Sequence, residues 1–226
     1  MSHATTTAKN RSAVVLFSGG QDSTTCLAWA LARFSTVECV TIDYGQRHRI
    51  ELVAAKRICA AVGVRQVQIP CDSFRALGGN SLTGDEAVAN GLNATTGLPN
   101  TFVPGRNLIL LSLAAAYAWQ RGAHDLVTGV CQTDYSGYPD CRDTTIQALQ
   151  AALRAGLDSP LTIHTPLMHL TKAESVWMMR DLGRLDLLAH SHTCYNGQVP
   201  PCGTCPSCLL RAKGFAEAGI PDPLLG

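Results

Sequence analysis

The chain has 226 residues, 46% of them hydrophobic and 15% charged, with a formal net charge of +1. This length buries a sizeable core and suits one domain with a small appendage. The balanced charge excludes a global basic field for capturing nucleic acid, and no apolar run is long enough to span a membrane. Met1–Arg11 is polar and Thr-rich, without an apolar core or cleavage signal, so residues 1–12 are expected to form a flexible extension and the chain to be cytoplasmic.

The first apolar run, Val14-Val15-Leu16-Phe17, ends abruptly at Ser18-Gly19-Gly20. Gln21, Asp22, Ser23 and Thr24 follow, then the helix-compatible Thr25–Ala32, which includes Cys26 and Leu27. The pattern predicts a buried strand, a turn that needs glycine, and a helix whose N-terminus points back at the turn. Unpaired amides and the positive end of a helix dipole at such a junction favour an anion, typically phosphate. An ordinary strand–helix connection would look similar, with Asp22 or Ser23 capping the helix. The complete Ser-Gly-Gly-x-Asp-Ser, however, resembles the pyrophosphate-binding loop of the ATP pyrophosphatases. No lysine follows the glycines, as it does in kinase-like NTPases, so the resemblance implies cleavage between the α and β phosphates.

Val37–Asp43 reads as a second strand, Glu51–Val62 as a helix stopped by Gly63, and Val64–Ile69 as a third strand. Alternation of strand and helix with short links predicts an α/β fold, a doubly wound parallel sheet with helices on both faces. Ligands of such sheets bind beyond the carboxyl ends of the strands, near a switch point. Tyr44-Gly45-Gln46-Arg47-His48 emerges from the second strand and is expected to share a pocket with the Ser18–Thr24 loop. Residues 71–103 carry Gly, Asn, Ser and Thr without periodicity, which points to a lid, a binding loop or local disorder.

Pro104-Gly105-Arg106-Asn107 then leads into an apolar helix over Leu108–Gln120. Asn107 could cap that helix, while the planar donor fork of Arg106 suits a phosphate or carboxylate. Asp125–Val130 reads as a fourth strand that enters Cys131–Arg142, a segment joining Asp134, Tyr135, Ser136, Tyr138 and Asp140 to Gly137 and Pro139. Tyrosine faces can stack on a heterocyclic base while carboxylates accept from ring N–H groups. A surface turn held by Asx motifs is the plainer alternative. A helix over Thr144–Ala155 and a strand near Leu161–Thr165 come next. Thr171-Lys172-Ala173-Glu174 has the form of a capping box. Lys172 lies in the first turn, where a cation opposes the helix dipole, so it is either a solvated lysine or one kept for the polyphosphate of ATP.

Ten cysteines in a small secreted protein would suggest disulfides, but Cys26, Cys39, Cys59 and Cys71 are scattered through apolar stretches and read as core. Cys194-x7-Cys202-x2-Cys205-x2-Cys208, with Gly203 and Pro206 turning the chain, has metal-ligand spacing. A closed tetrahedron of thiolates is the preferred structural zinc site. An iron–sulfur cluster and a redox-active pair are the alternatives, and His190 or His192 could replace a thiolate. Zinc would fold a tail too short to build its own core.

Taken together, Phe17–Leu27, Asp43–His48 with Glu51, Pro104–Asn107, Ser136–Arg142, Thr171–Glu174, Cys194–Gly197 and Pro201–Arg211 resemble the 7-cyano-7-deazaguanine synthase family. The resemblance runs from about Val14 to Leu224, and Gly-Tyr-Pro-Asp-Cys-Arg with the cysteine tail is its most selective part. It implies an adenine nucleotide alpha-hydrolase-like nucleotide domain over 13–186 and a helical zinc-binding segment over 187–226, the chain pairing as a homodimer. The implied activity is an ATP-driven carbon–nitrogen ligase of queuosine biosynthesis, taking 7-carboxy-7-deazaguanine and ammonia to the nitrile through adenylated intermediates. Nucleic acid is not an implied partner.

On that resemblance the Phe17–Leu27 loop holds ATP, with Asp22 on magnesium and Arg106 and Lys172 offsetting phosphate charge. Tyr44, Gln46, His48, Arg106, Tyr138 and Asp140 meet the deazaguanine, and His48 carries protons. Cys194, Cys202, Cys205 and Cys208 hold one structural zinc. Two rivals remain on the sequence, a tRNA-modifying adenylating enzyme of the same fold and a zinc-containing nucleic-acid or protein interaction module.

Overall fold

The structure, a computed structural model, describes residues 11–84, 86–133 and 137–226. Asp134, Tyr135 and Ser136 of the expected base-binding segment, and residues 1–10 of the expected extension, lie outside the described residues. Five strands, β1 (Ser12–Leu16), β2 (Thr36–Asp43), β3 (Arg65–Pro70), β4 (Asp125–Val127) and β5 (Thr162–His164), run parallel in the order β3-β2-β1-β4-β5. The helices are α1 (Gln21–Leu31), α2 (Ile50–Ala61), α3 (Ser73–Leu77), α4 (Arg106–Gln120), α5 (Asp143–Leu157), α6 (Lys172–Asp181) and α7 (Pro206–Ala218). None is long and apolar enough to cross a membrane.

Alternation along β1 explains the double winding. Ala13, Val15 and the following Phe17 face Cys26, Leu27 and Ala30 of α1 and Ala55 and Ile58 of α2. Val14 faces the other way, with Leu111, Ala114 and Ala115 of α4 and Ile146 of α5. Both faces of the strand are therefore dry, as a central parallel strand requires. Each fully buried Leu or Ile here contributes about 1.5–3 kcal/mol relative to exposure. The cysteines at 26, 39 and 59 are buried among these side chains, as the scattered spacing predicts. Strand order reverses beside β1, which puts the switch point between the carboxyl ends of β1 and β4.

Several boundaries depart from the sequence expectation. Ser12 already belongs to β1, and Arg11 pairs with the buried Asp125, which also lies 2.7 Å from His164 Nε2. These two residues are thus tied to the sheet rather than to an extension. Helix α1 starts at Gln21 with Gly20 as its N-cap, so Asp22 and Ser23 sit inside the first turn instead of capping it. The 71–103 connection is more ordered than its composition suggests. It holds α3, buries Phe74 and Leu82, and is pinned by Asn80 Oδ1, which accepts from the amides of Leu82 and Thr83 at 3.0 Å.

The C-terminal segment shares a core with the domain. Leu187, Leu188 and Phe215 pack with Ala28 of α1 and with Val176 and Met179 of α6. Buried Arg211 donates from Nε and Nη2 to Asp222 at 2.6 and 2.7 Å and from Nη1 to Ser191 Oγ at 2.7 Å. The tail is thereby locked against the sheet domain on one side.

Candidate functional site

The switch point opens into a cavity of about 250 Å³. Ser18 and Gly20–Ser23 form one wall, Tyr44, His48 and Glu51 a second, Arg106 and Asn107 a third, and Thr128–Cys131 the end of β4. Tyr138, His192 and Tyr195 complete it. Of the expected ATP-binding residues, Phe17, Ser18, Gly20, Gln21, Asp22 and Ser23 line this cavity. Gly19, Thr24, Thr25, Cys26 and Leu27 are not among the lining residues; Thr24, Thr25, Cys26 and Leu27 are buried on α1 and support the wall.

Glycine is required in the loop for a specific reason. Gly19 has φ +86°, and a Cβ there would lie 2.5 Å from Ala55 N and 2.6 Å from Glu51 O of α2. The loop is pressed onto α2, and two of its amides are held by its own hydroxyls. Gly19 N donates to Ser23 Oγ at 3.1 Å and Gly20 N to Ser18 Oγ at 3.2 Å, with the two hydroxyls 3.1 Å apart. Thr24 Oγ1 donates to Gly20 O at 2.8 Å. Two amides, two hydroxyls and a helix N-terminus thus gather at one turn, groups of the kind that suit an anion.

Lys172, the first residue of α6, donates to both oxygens of Asp22 at 2.8 and 2.7 Å. The expected capping box is present: Glu174 N donates to Thr171 Oγ1 and Thr171 N to Glu174 Oε2. Gly214 of α7 lies over the lysine stem, where a Cβ would meet Lys172 Cβ at 2.7 Å. The lysine is therefore held by packing as well as charge, which rules out a freely solvated side chain. It lines a second cavity of about 510 Å³ between α7 and residues 89–101. Gln21, Asp22, Tyr138, Thr193, Tyr195 and Ser207 line both cavities, so the two share a wall.

The Arg106 guanidinium stands 5.8 Å from the Tyr44 ring centre and 5.9 Å from that of Tyr138, within cation–π range. Burial works against its charge, but Tyr44, Tyr195, Tyr138 and Asp140 outweigh it and hold the pKa above the ordinary arginine value. Burial pushes the Tyr44 phenol up to about 12, so it stays protonated at neutral pH. Tyr138 Oη is 2.6 Å from Thr101 Oγ1, which fixes that ring against the 71–103 connection.

Asp140 and Gln46, both expected at the substrate, are engaged with the protein's own backbone. Asp140 Oδ2 accepts from Asn107 N at 2.9 Å and so serves the first turn of α4, the capping task expected of Asn107 itself. Asn107 lies inside the helix, and its amide donates to Cys141 Sγ at 3.2 Å. Gln46 is turned inward: Oε1 accepts from Tyr44 N at 2.9 Å and Nε2 donates to Glu51 Oε1 at 2.8 Å. Neither Asp140 nor Gln46 lines the cavities. In sequence, a carboxylate or amide beside a strand end looks the same whether it meets a ligand or a backbone.

His48 does line the cavity, with Nε2 3.3 Å from Glu51 Oε2. His192, which the sequence offered only as an alternative metal ligand, and Tyr195, which it gave no role of its own, join it from the cysteine tail. The signal available was an aromatic and a histidine interleaved with metal ligands, more than a zinc site needs. Burial lowers the His192 pKa, which favours the neutral ring.

The ligand atoms of Cys194, Cys202, Cys205 and Cys208 all lie within 4.8 Å of one another, and Cys202 and Cys208 sulfurs are 3.9 Å apart. A tetrahedral thiolate site with metal–sulfur bonds of about 2.3 Å needs sulfurs roughly 3.8 Å apart. The cluster fits. Burial opposes the Cys202 thiolate, yet the amides of Thr204 and Cys205 bring its pKa down to about 5. His190 is exposed and His192 faces the cavity, so neither joins the four sulfurs.

A parallel 3-2-1-4-5 sheet with a Ser-Gly-Gly loop at its switch point gives the chain an adenine nucleotide alpha-hydrolase-like fold. A family model described as queuosine biosynthesis protein QueC matches residues 12–219, and the chain belongs to that family. A 7-cyano-7-deazaguanine synthase of Chromobacterium violaceum is 62% identical over 222 residues, covering 96% of this chain and 94% of the relative. The synthase of Laribacter hongkongensis is 59% identical over 214 residues, covering 94% and 93%. Among solved structures, the U34-tRNA thiolase NcsA of Methanococcus maripaludis with its [4Fe-4S] cluster is 14% identical, TM-score 0.51, covering 93% of this chain and 68% of the thiolase. A 4-thiouridine synthetase–RNA complex with bound ATP is 15% identical, TM-score 0.53, covering 91% and 53%. These two distant likenesses establish the fold alone.

Proposed function

We propose that this chain converts 7-carboxy-7-deazaguanine, ammonia and ATP into 7-cyano-7-deazaguanine, with release of AMP and pyrophosphate. The observation that carries the reading is the Ser18–Ser23 cradle opening onto a cavity walled by Tyr44, Arg106 and Tyr138, in a chain of the QueC family. A carboxylate is a poor electrophile because its leaving group would be oxide. Its attack on the α-phosphorus of ATP gives an acyl adenylate, from which ammonia displaces AMP to form the amide. A second ATP adenylates the amide oxygen, and loss of AMP leaves the nitrile. The attacking carboxylate is already ionised, so the first step needs position and charge neutralisation rather than a base.

The residues divide these tasks. Amides of Gly19 and Gly20 and the hydroxyls of Ser18 and Ser23, now bonded to one another, would turn to the pyrophosphate oxygens. Lys172 would move its donors from Asp22 to phosphate, and Asp22 would then be placed to hold magnesium. Arg106 offsets charge on the phosphates or the substrate carboxylate, Tyr44 and Tyr138 face the planar ring, and His48 takes up protons released when nitrogen is added. Cys194, Cys202, Cys205 and Cys208 would hold one zinc, and its ligation would order the tail that supplies Tyr195 and His192.

Mass spectrometry after incubation with ATP, magnesium, ammonium and the carboxylate tests this. The expected result is the nitrile with two AMP per product. Formation of ADP and phosphate instead of AMP would overturn the loop assignment. The tRNA-modifying rival predicts salt-dependent RNA binding, so unchanged mobility of tRNA across low salt counts against it.

A further inference from the structure

Among the described residues, the buried side-chain atoms without a hydrogen-bond partner are Nε2 and Oε1 of Gln21, Nδ1 of His48 and Nε2 of His192. Gln21 differs from the two histidines in leaving both ends of its side chain unmet, at 1% exposure. Native proteins leave few buried polar atoms unpaired, so two on one amide point to a ligand. Gln21 is the first residue of α1, directly after Gly20 of the loop, and it lines the 250 and 510 Å³ cavities alike.

That position narrows what meets the two atoms. Gly20 N and Ser18 Oγ, 3.2 Å apart, are among the groups assigned above to pyrophosphate. The substrate must bring its reacting group to the α-phosphorus beside that pyrophosphate, so this group, rather than its ring or the adenine, comes to the Gln21 end of the wall. The Gln21 amide does not titrate, and it offers a donor and an acceptor side by side whichever way round it is placed. The three successive forms of the reacting group differ in how they answer it. A carboxylate has acceptors only and leaves Oε1 unmet. A nitrile has one acceptor and no donor. The primary amide between them carries a carbonyl and an N–H on one edge, and it alone meets both ends of Gln21.

We propose that Gln21 binds the primary amide intermediate edge to edge and retains it for the second adenylation; this rests on the reading given under Proposed function. Gln21 Nε2 donates to the amide oxygen, and Oε1 accepts from the amide N–H. The intermediate thereby stays beside the loop while AMP and pyrophosphate leave and a second ATP enters. Loss of this pairing turns a synthase of nitrile into one that also releases amide.

The test is the ratio of amide to nitrile released by Gln21→Met, measured by mass spectrometry with ATP, magnesium, ammonium and 7-carboxy-7-deazaguanine. Q21M fills a similar volume without hydrogen-bonding ends, and the ratio should rise about tenfold or more. With the primary amide supplied as substrate, its KM should rise about tenfold in Q21M, against less than about threefold for the carboxylate. Gln21→Glu keeps acceptors, loses the donor and should fall between. A ratio within about twofold of wild type in Q21M overturns the inference, and is what a water bound at Gln21 predicts. An equal rise in both KM values also overturns it, and is what a purely structural role predicts. The wild-type chain supplies a measurement that needs no variant. In isothermal titration it should bind the primary amide about tenfold more tightly than the methyl ester of the same ring, which lacks the N–H; equal affinity overturns the inference. A wild-type chain that turns over neither carboxylate nor amide with ATP defeats the functional reading, and the assignment of Gln21 with it.

Discussion

The Ser18–Thr24 loop and the Cys194–Cys208 tail meet at one cavity but are built in opposite ways. The loop is made of backbone, gripped between β1 and α2, and its shape depends on the missing side chain at Gly19. The tail is made of side chains: its buried cluster consists of Cys194, Cys205 and Cys208, joined by partly buried Val88, Tyr195 and Cys202. They are joined directly where His192 N donates to Gly19 O at 2.9 Å. The sheet can thus hold its half of the site unaided, whereas the tail is tied down by Arg211 and by four sulfurs placed to hold a metal. Function needs both halves, and damage to each should be separable.

The largest effect should come from the tail. Removal of metal by chelation, or Cys205→Ser, is expected to abolish metal content and destabilise the chain by more than about 4 kcal/mol. Far-UV circular dichroism should retain most of its amplitude until the sheet itself melts, because the two principal cores lie outside the tail. Metal analysis showing unchanged zinc in C205S would refute the tetrathiolate site. Next in size is Lys172→Met. It keeps the stem that packs under Gly214 and loses the charge facing Asp22. Turnover should fall about 1000-fold, a barrier increase of about 4 kcal/mol, while the melting temperature moves little. Wild-type turnover in K172M would reduce that lysine to a structural ion pair.

The same contrast decides what was legible in the sequence. The loop could be read because its signal is local: an apolar run, glycines and a helix start occupy one continuous stretch. The parallel, doubly wound character of the sheet followed from strand and helix alternation for the same reason. The cysteine spacing was also local, and four sulfurs do converge. What could not be read was which polar side chains line the cavity. Asp140 and Gln46 point at backbone amides of Asn107 and Tyr44, whereas His192 and Tyr195 reach the cavity from beyond residue 190. Those choices depend on contacts between segments far apart in the chain, which no spacing rule encodes. The 71–103 connection hid its order similarly, since Asn80 and Phe74 act through tertiary contacts rather than periodicity.

Two smaller perturbations act on the sheet-built half. In Gly19→Ala, the new Cβ would stand 2.5 Å from Ala55 N in a left-handed conformation, so loop or helix must shift. A loss of about 3 kcal/mol in chemical denaturation is expected, with ATP affinity reduced because the cradle amides move with the loop. Metal content should be that of the wild type; a G19A chain that loses its metal would mean the two halves are not separable. Smallest is Asp140→Ala, which removes the acceptor from Asn107 N in the first turn of α4. Loss of such a cap costs about 1–2 kcal/mol. Because Arg106 is the first residue of that helix, turnover should drop less than tenfold, through fraying of the turn that aims the guanidinium between Tyr44 and Tyr138. Asp140→Asn retains an acceptor oxygen and should recover most of the stability. If D140N is as stable as wild type yet raises the KM for the deazaguanine carboxylate tenfold, Asp140 touches the substrate after all and the assignment of this carboxylate to the helix is wrong.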